Sequence, residues 1–146
     1  MEACGAVLAR TAPRGRFVTL DGPLAAGKTT LARGYVRALG HDGAVKSPTF
    51  TLVETYLLGD VTVHHFDLYR LADAAELEFI GIEDYFSGSA DILVEWPERG
   101  VGILPPADLA IHIAIAGTAR ELSLVFVDEA WAERFHIEMN LFKSNG

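Results

Sequence analysis

Apolar positions along the chain change rhythm, and each change marks an element. Arg16-Phe17-Val18-Thr19-Leu20 is compact, apolar and β-branched between Gly15 and Gly22, which predicts a buried central strand. Beyond the Gly22 to Gly27 loop, Leu31, Tyr35, Ala38 and Leu39 recur at helical spacing and stop at Gly40, predicting a helix with one apolar face. Upstream, Ala3 to Arg10 predicts a short helix before Pro13. Two strands follow, Phe50–Tyr56 and Val61–Phe66, joined as a hairpin by a turn at Gly59-Asp60. Asp73 with Glu76 three residues later resembles a capping box, so a helix of about two turns is expected there, burying Leu77 and Ile80 and ending before Gly81. Asp91-Ile92-Leu93-Val94-Glu95 reads as a buried strand closing on a carboxylate, and Leu109–Ile115 and Leu122–Val127 are further β-rich runs. One strand-loop-helix unit followed by several strands implies an α/β fold, a mixed sheet flanked by helices.

Length and composition narrow this picture. The 146 residues suit a single domain spanning 1–146, with residues beyond about 128 read as a terminal helix or an added C-terminal tail. Twelve basic against twenty acidic side chains give a net charge of −8, which opposes sequence-independent nucleic-acid binding. Contact with RNA is therefore expected to be local or shared with a partner. Cys4 is the sole cysteine, which excludes an internal disulfide and any zinc site needing two cysteines of one chain, and suits a reducing, cytoplasmic setting. No run approaches the roughly 18 apolar residues of a membrane span, and Met1-Glu2-Ala3-Cys4 lacks a basic signal region, so membrane insertion and export are not expected.

The chemistry concentrates in Gly22-Pro23-Leu24-Ala25-Ala26-Gly27-Lys28-Thr29, which satisfies G-x-x-x-x-G-K-[ST] directly after a strand and at the opening of a helix. Such a loop turns its backbone N–H groups inward and the helix adds its positive dipole end. The Lys28 ammonium then neutralises the terminal phosphates of a nucleotide, and the Thr29 hydroxyl ligates Mg²⁺. Gly22, Ala25, Ala26, Gly27, Lys28, Thr29 and Thr30 are the expected nucleotide contacts. A phosphate loop also needs a carboxylate at a neighbouring strand end. Glu95 after Ile92-Leu93-Val94 and Asp67 after Val63-His64-His65-Phe66 both qualify, and periodicity does not choose between them.

Ser47-Pro48-Thr49 is a hydroxyl-rich turn that reads as a loop, although such segments close over γ-phosphate and metal in nucleotide switches. His64 and His65 would point to opposite faces of a strand and cannot share a metal, so structural roles are favoured for both. Trp96, next to Glu95, is either core or a stacking surface for adenine. A small-molecule kinase or a non-hydrolytic nucleotide-gated module would use the same loop. The kinase would need an Arg-rich lid, whereas Arg70, Arg99, Arg120 and Arg134 are widely scattered.

Taken in order, Gly22–Thr30, Ala38-Leu39-Gly40, Val45–Glu54, His65-Phe66-Asp67-Leu68-Tyr69-Arg70-Leu71, Glu76–Ile82 and Val94-Glu95-Trp96-Pro97-Glu98 closely resemble the TsaE (YjeE) family over about residues 3 to 125. The resemblance implies a small ATPase that uses ATP and Mg²⁺. It would hydrolyse slowly and act with TsaD and TsaB in tRNA threonylcarbamoyladenosine (t6A) biosynthesis, touching tRNA only through that complex. By the same resemblance, Lys28 holds phosphates, Thr29 and Glu95 form the metal site and Asp67 is the second functional carboxylate. Ser47 and Thr49 would lie in a switch-like turn, Trp96 near nucleotide or partner, and Arg120 near the nucleotide. The family's loop usually reads Gly-Asp-Leu-Gly-Ala-Gly-Lys-Thr, whereas this chain has Pro23 for the acidic residue and Ala25 for the middle glycine. Pro23 lacks an N–H and Ala25 disfavours positive φ, so a stiffer or reshaped loop is expected, affecting affinity before function. The segment before the first strand is also shorter than is usual in that family.

Overall fold

In the computed structural model, which describes residues 1–145, six strands form one sheet in the order β2-β3-β4-β1-β5-β6. They are β1 (Phe17–Asp21), β2 (Val53–Leu58), β3 (Val61–Asp67), β4 (Asp91–Glu95), β5 (Leu109–Ala116) and β6 (Ala119–Phe126). The inner four run parallel, while β2 pairs antiparallel with β3 and β6 antiparallel with β5. This is the expected α/β architecture with a mixed sheet, and β1 is central as predicted.

Side chains alternate across each strand, so the sheet feeds two apolar layers. Val18, Leu20, Val63, Leu93, Leu109, Ile111 and Ile113 face helices α1 (Glu2–Thr11), α2 (Lys28–Ala38) and α5 (Glu129–Asn145). Phe17, Phe66, Ile92 and Val94 face the short helices α3 (Glu76–Phe79) and α4 (Ile82–Phe86). With both faces covered, all five residues of β4 are buried, which is why that segment reads as an unbroken apolar run. Helices α1 and α2 cross in close contact through two glycines. A Cβ on Gly34 would lie 2.0 Å from the Glu2 carbonyl oxygen, and one on Gly5 would lie 2.1 Å from that of Leu31.

Two expectations need correction. The strand expected over Phe50–Tyr56 begins only at Val53, because Pro48 to Leu52 forms a turn in which Leu52 N–H donates to the Pro48 carbonyl at 2.7 Å and Leu52 takes φ 72°. The two-turn helix after Asp73 is a single turn. Asp73 Oδ1 accepts from Ala75 N–H at 2.9 Å in a local turn, no side chain caps the helix, and Gly81 at φ 73° breaks the axis before α4, which periodicity did not reveal. Leu77 is buried as expected, but Ile80 and Phe79 are both exposed. Of the two readings for the chain beyond 128, the terminal helix is the one seen among the described residues, and the first half of α5 belongs to the core: Trp131 is fully buried and donates from Nε1 to Thr11 Oγ1 at 3.1 Å, with Phe135 buried one turn on.

Candidate functional site

The site lies at the carboxyl ends of the parallel strands, where β1 runs through the glycine loop into α2. Gly22 is required there because a Cβ would meet the Ile113 carbonyl oxygen of β5 at 2.5 Å. Ala25 adopts φ 65°, the left-handed conformation suited to the glycine that the family motif usually carries here. Helix α2 starts at Lys28 with no side-chain cap. Among the described residues, the N–H groups of Ala25, Gly27, Lys28, Thr29 and Thr30 find no protein acceptor. A row of such donors at the positive end of a helix dipole is a ready anion cradle.

Lys28 is almost wholly buried and folds back across the loop, donating from Nζ to the Gly22 carbonyl at 2.5 Å and the Pro23 carbonyl at 2.8 Å. Burial pushes its pKa down from the ordinary lysine value, opposed by the carboxylates of Glu95, Glu98, Asp67 and Asp21. The Trp96 ring covers the same ammonium, with Nζ 4.0 Å from the ring centroid. Trp96 is thus neither fully core nor remote. Held at φ 59° by the turn into Pro97–Gly100, it forms a wall beside Lys28 and packs against Tyr69.

Strand pairing decides how the two carboxylates are used. Asp67 and Glu95 are register partners at the ends of β3 and β4, so both project toward α2. Glu95 receives the Thr29 hydroxyl, whose Oγ1 lies 3.0 Å from each carboxylate oxygen. Asp67 instead gathers the turn: Oδ2 accepts from Ser47 Oγ and, at 3.1 Å, from Thr49 Oγ1, while Oδ1 accepts from Tyr69 N–H at 2.9 Å. Leu24, Ala25, Ala26, Gly27, Lys28, Thr29, Thr30, Ser47, Thr49, Asp67, Glu95 and Trp96 therefore surround one cleft of about 280 Å³. Among the described residues no cluster of three or more His, Cys, Asp or Glu side chains stands ready to hold a metal by itself.

These features bear directly on ancestry. The family described as "Threonylcarbamoyl adenosine biosynthesis protein TsaE" matches residues 1–122. The chain belongs to the TsaE family. It is 54% identical over 109 residues to the tRNA threonylcarbamoyladenosine biosynthesis protein TsaE of Haemophilus influenzae, covering 75% of this chain and 69% of the relative. The Bacillus subtilis protein of the same name is 39% identical over 127 residues, 86% of this chain and 79% of the relative. The crystal structure of Bacillus subtilis YdiB superimposes with a TM-score of 0.76 at 31% identity, over 97% of this chain and 88% of that one.

Two residues stand out against this TsaE framework. Arg120, at the start of β6, reaches the phosphate loop from the far edge of the sheet, donating from Nε to the Ala26 carbonyl at 3.0 Å and from Nη2 to that of Ala25 at 3.4 Å. It braces the loop from outside the cleft lining. His65, for which the sequence favours a structural role, places its Nε2 2.6 Å from Glu95 Oε2. The signal that could have found it was the period of two: His65 precedes Asp67 by two residues and so shares its face. His64 turns to the opposite face, onto Thr55 and Tyr85, as alternation predicts.

Proposed function

We propose that the chain is a slow, partner-dependent ATPase that binds ATP with Mg²⁺ at this loop and works with TsaD and TsaB in making t6A in tRNA. The observation that carries the reading is the contact of Thr29 Oγ1 with both Glu95 oxygens, directly beside a phosphate loop in which the N–H groups of Ala25, Gly27, Lys28, Thr29 and Thr30 are uncommitted. The donor set fits the expected group. Hydroxyl and carboxylate oxygens suit Mg²⁺, which ordinarily takes only one or two protein ligands and shares its remaining sites with phosphates and water. ATP with Mg²⁺ would supply the phosphoanhydride bond and most of the charge neutralisation.

This chain's own side chains do the rest. Lys28 would exchange the Gly22 and Pro23 carbonyls for phosphate oxygens, and Thr29 with Glu95 would hold the metal and its water shell. Asp67 ties Ser47 and Thr49 to the cleft, which makes that turn the segment to respond to the nucleotide's state. The names of the relatives support t6A synthesis as the pathway. A net charge of −8 supports leaving tRNA contact to the complex, and no helix of the described residues is long and apolar enough to cross a membrane. Such work belongs with tRNA in the cytoplasm.

The test is ATP turnover and t6A formation by wild type and Glu95→Gln, each alone and with TsaB and TsaD from the same organism. Glu95→Gln is expected to keep ATP affinity in EDTA and lose about 10²-fold or more of turnover, the usual weight of a positioned charge-stabilising group. Unchanged turnover in the variant would refute the role of Glu95. A wild type whose hydrolysis and t6A yield ignore both partners would refute the partner-dependent reading.

A further inference from the structure

His65 is completely buried on the α2 side of the sheet, one strand from Glu95. Its Nε2 makes one short contact, 2.6 Å to Glu95 Oε2, whereas Nδ1 is buried with no hydrogen-bonding partner among the described residues. An unpaired polar atom in a core costs stability, so the imidazole is held there against the interest of packing. The compensating feature is the single bond to Glu95. A carboxylate only accepts, so that bond requires the proton on Nε2.

The consequence for Glu95 is geometric. Its side chain turns about several single bonds and would sweep the cleft if free. Two groups fix it, His65 at Oε2 and Thr29 at both oxygens. The Thr29 hydroxyl is also the group that a metal would claim, and once claimed it holds the carboxylate less directly. His65 does not face that competition, because it lies behind Glu95 in the core, outside the cleft lining. We propose that His65 is a positioning residue, whose Nε2–H keeps the Glu95 carboxylate aimed at Thr29 when Thr29 turns to a metal ion. The inference deepens the ATP and Mg²⁺ reading and rests on it for the role of Glu95, though not for the hydrogen bond.

The test compares wild type with His65→Leu, similar in bulk but without a donor, and with His65→Gln, whose amide N–H can reach the same oxygen. ATP binding is measured in EDTA and across a Mg²⁺ titration, with thermal unfolding recorded for each protein. His65→Leu is expected to bind ATP in EDTA as wild type does, while its apparent Mg²⁺ affinity falls about tenfold or more, the usual effect of removing the partner that orients a ligand. His65→Gln should recover most of that loss. An unchanged Mg²⁺ response in folded His65→Leu, or in His65→Gln an equal loss, would overturn the proposal. Nitrogen-15 NMR of the nucleotide-free protein supplies an independent arm and should show the Nε2–H tautomer of His65. An Nδ1–H tautomer would overturn the proposal whatever the site binds. A wild type that responds to neither ATP nor Mg²⁺ would remove the functional reading, and the NMR result would still decide whether His65 anchors Glu95.

Discussion

Replacing Ala25 by glycine should stabilise the protein, although glycine for alanine normally does the reverse. Ala25 sits at φ 65° in the phosphate loop, where its Cβ crowds the following carbonyl. An L-residue pays about 1–2 kcal/mol for that conformation. Glycine is free of this strain and loses about 0.5–1 kcal/mol through its greater freedom in the unfolded chain. The methyl group is exposed, so little buried surface is forfeited. The balance favours Ala25→Gly by roughly 0.5–1 kcal/mol, a rise in Tm of about 1–4 °C for a domain of this size. Ala26→Gly is the matched control. Ala26 has an ordinary negative φ and is 1% exposed. Its loss combines the same chain entropy with about 0.8 kcal/mol for the buried methyl, a fall of roughly 1.5 kcal/mol. Urea unfolding followed by the fluorescence of Trp96 and Trp131, without nucleotide, measures both variants under one condition. If Ala25→Gly fell as far as Ala26→Gly, left-handed strain would not be stored at this position and the reasoning would be wrong.

Further outcomes follow from two buried groups that do not line the cleft. Asp91 is fully buried at the opposite end of the sheet and accepts from Tyr35 Oη at 2.8 Å, Gly15 N–H at 2.7 Å and Arg14 Nη1 at 2.9 Å. Tyr35→Phe removes one of three donors to a buried carboxylate and should cost about 1.5–3 kcal/mol in urea unfolding, and equal stability would show that the bond contributes nothing. Burial pushes the Cys4 thiol from the ordinary 9.0 up to about 11. Between those values the unfolded chain gives up its proton first, so this contribution to stability is intact below about pH 9 and lost as pH rises toward 11. Iodoacetamide should label Cys4 far more slowly in the folded protein than in urea at pH 8; equal rates would contradict the burial of the thiol.

Residues close in sequence wrote the clearest part of this protein. β1, the glycine loop and α2 emerge where the pattern places them because strand period, turn glycines and helix period are all read within about a dozen residues. The hairpin of β2 and β3 is equally local, since Gly59 and Asp60 set its register. The failures at Asp73 and Leu52 came where a tight local turn replaced the regular element that the pattern predicts. Asp73 satisfied Ala75 in a turn of its own instead of capping a longer helix, and Leu52 took a left-handed turn that delayed β2. Trp131, without a motif, fills the layer between α1 and β6, where it contacts Thr11 and Phe126.

The sequence by itself determined which chemistry this chain could carry: a phosphate loop, a hydroxyl after its lysine, and two carboxylates closing apolar strands. Its periodicity could not say which carboxylate meets Thr29, a pairing that only the family resemblance gave to Glu95, because that depends on β3 and β4 lying side by side with Asp67 opposite Glu95. Nor could it assign His65, whose partner is thirty residues away along the chain. Strand order, register and helix crossing are set by burying both faces of the sheet at once, a condition that no single window of residues contains.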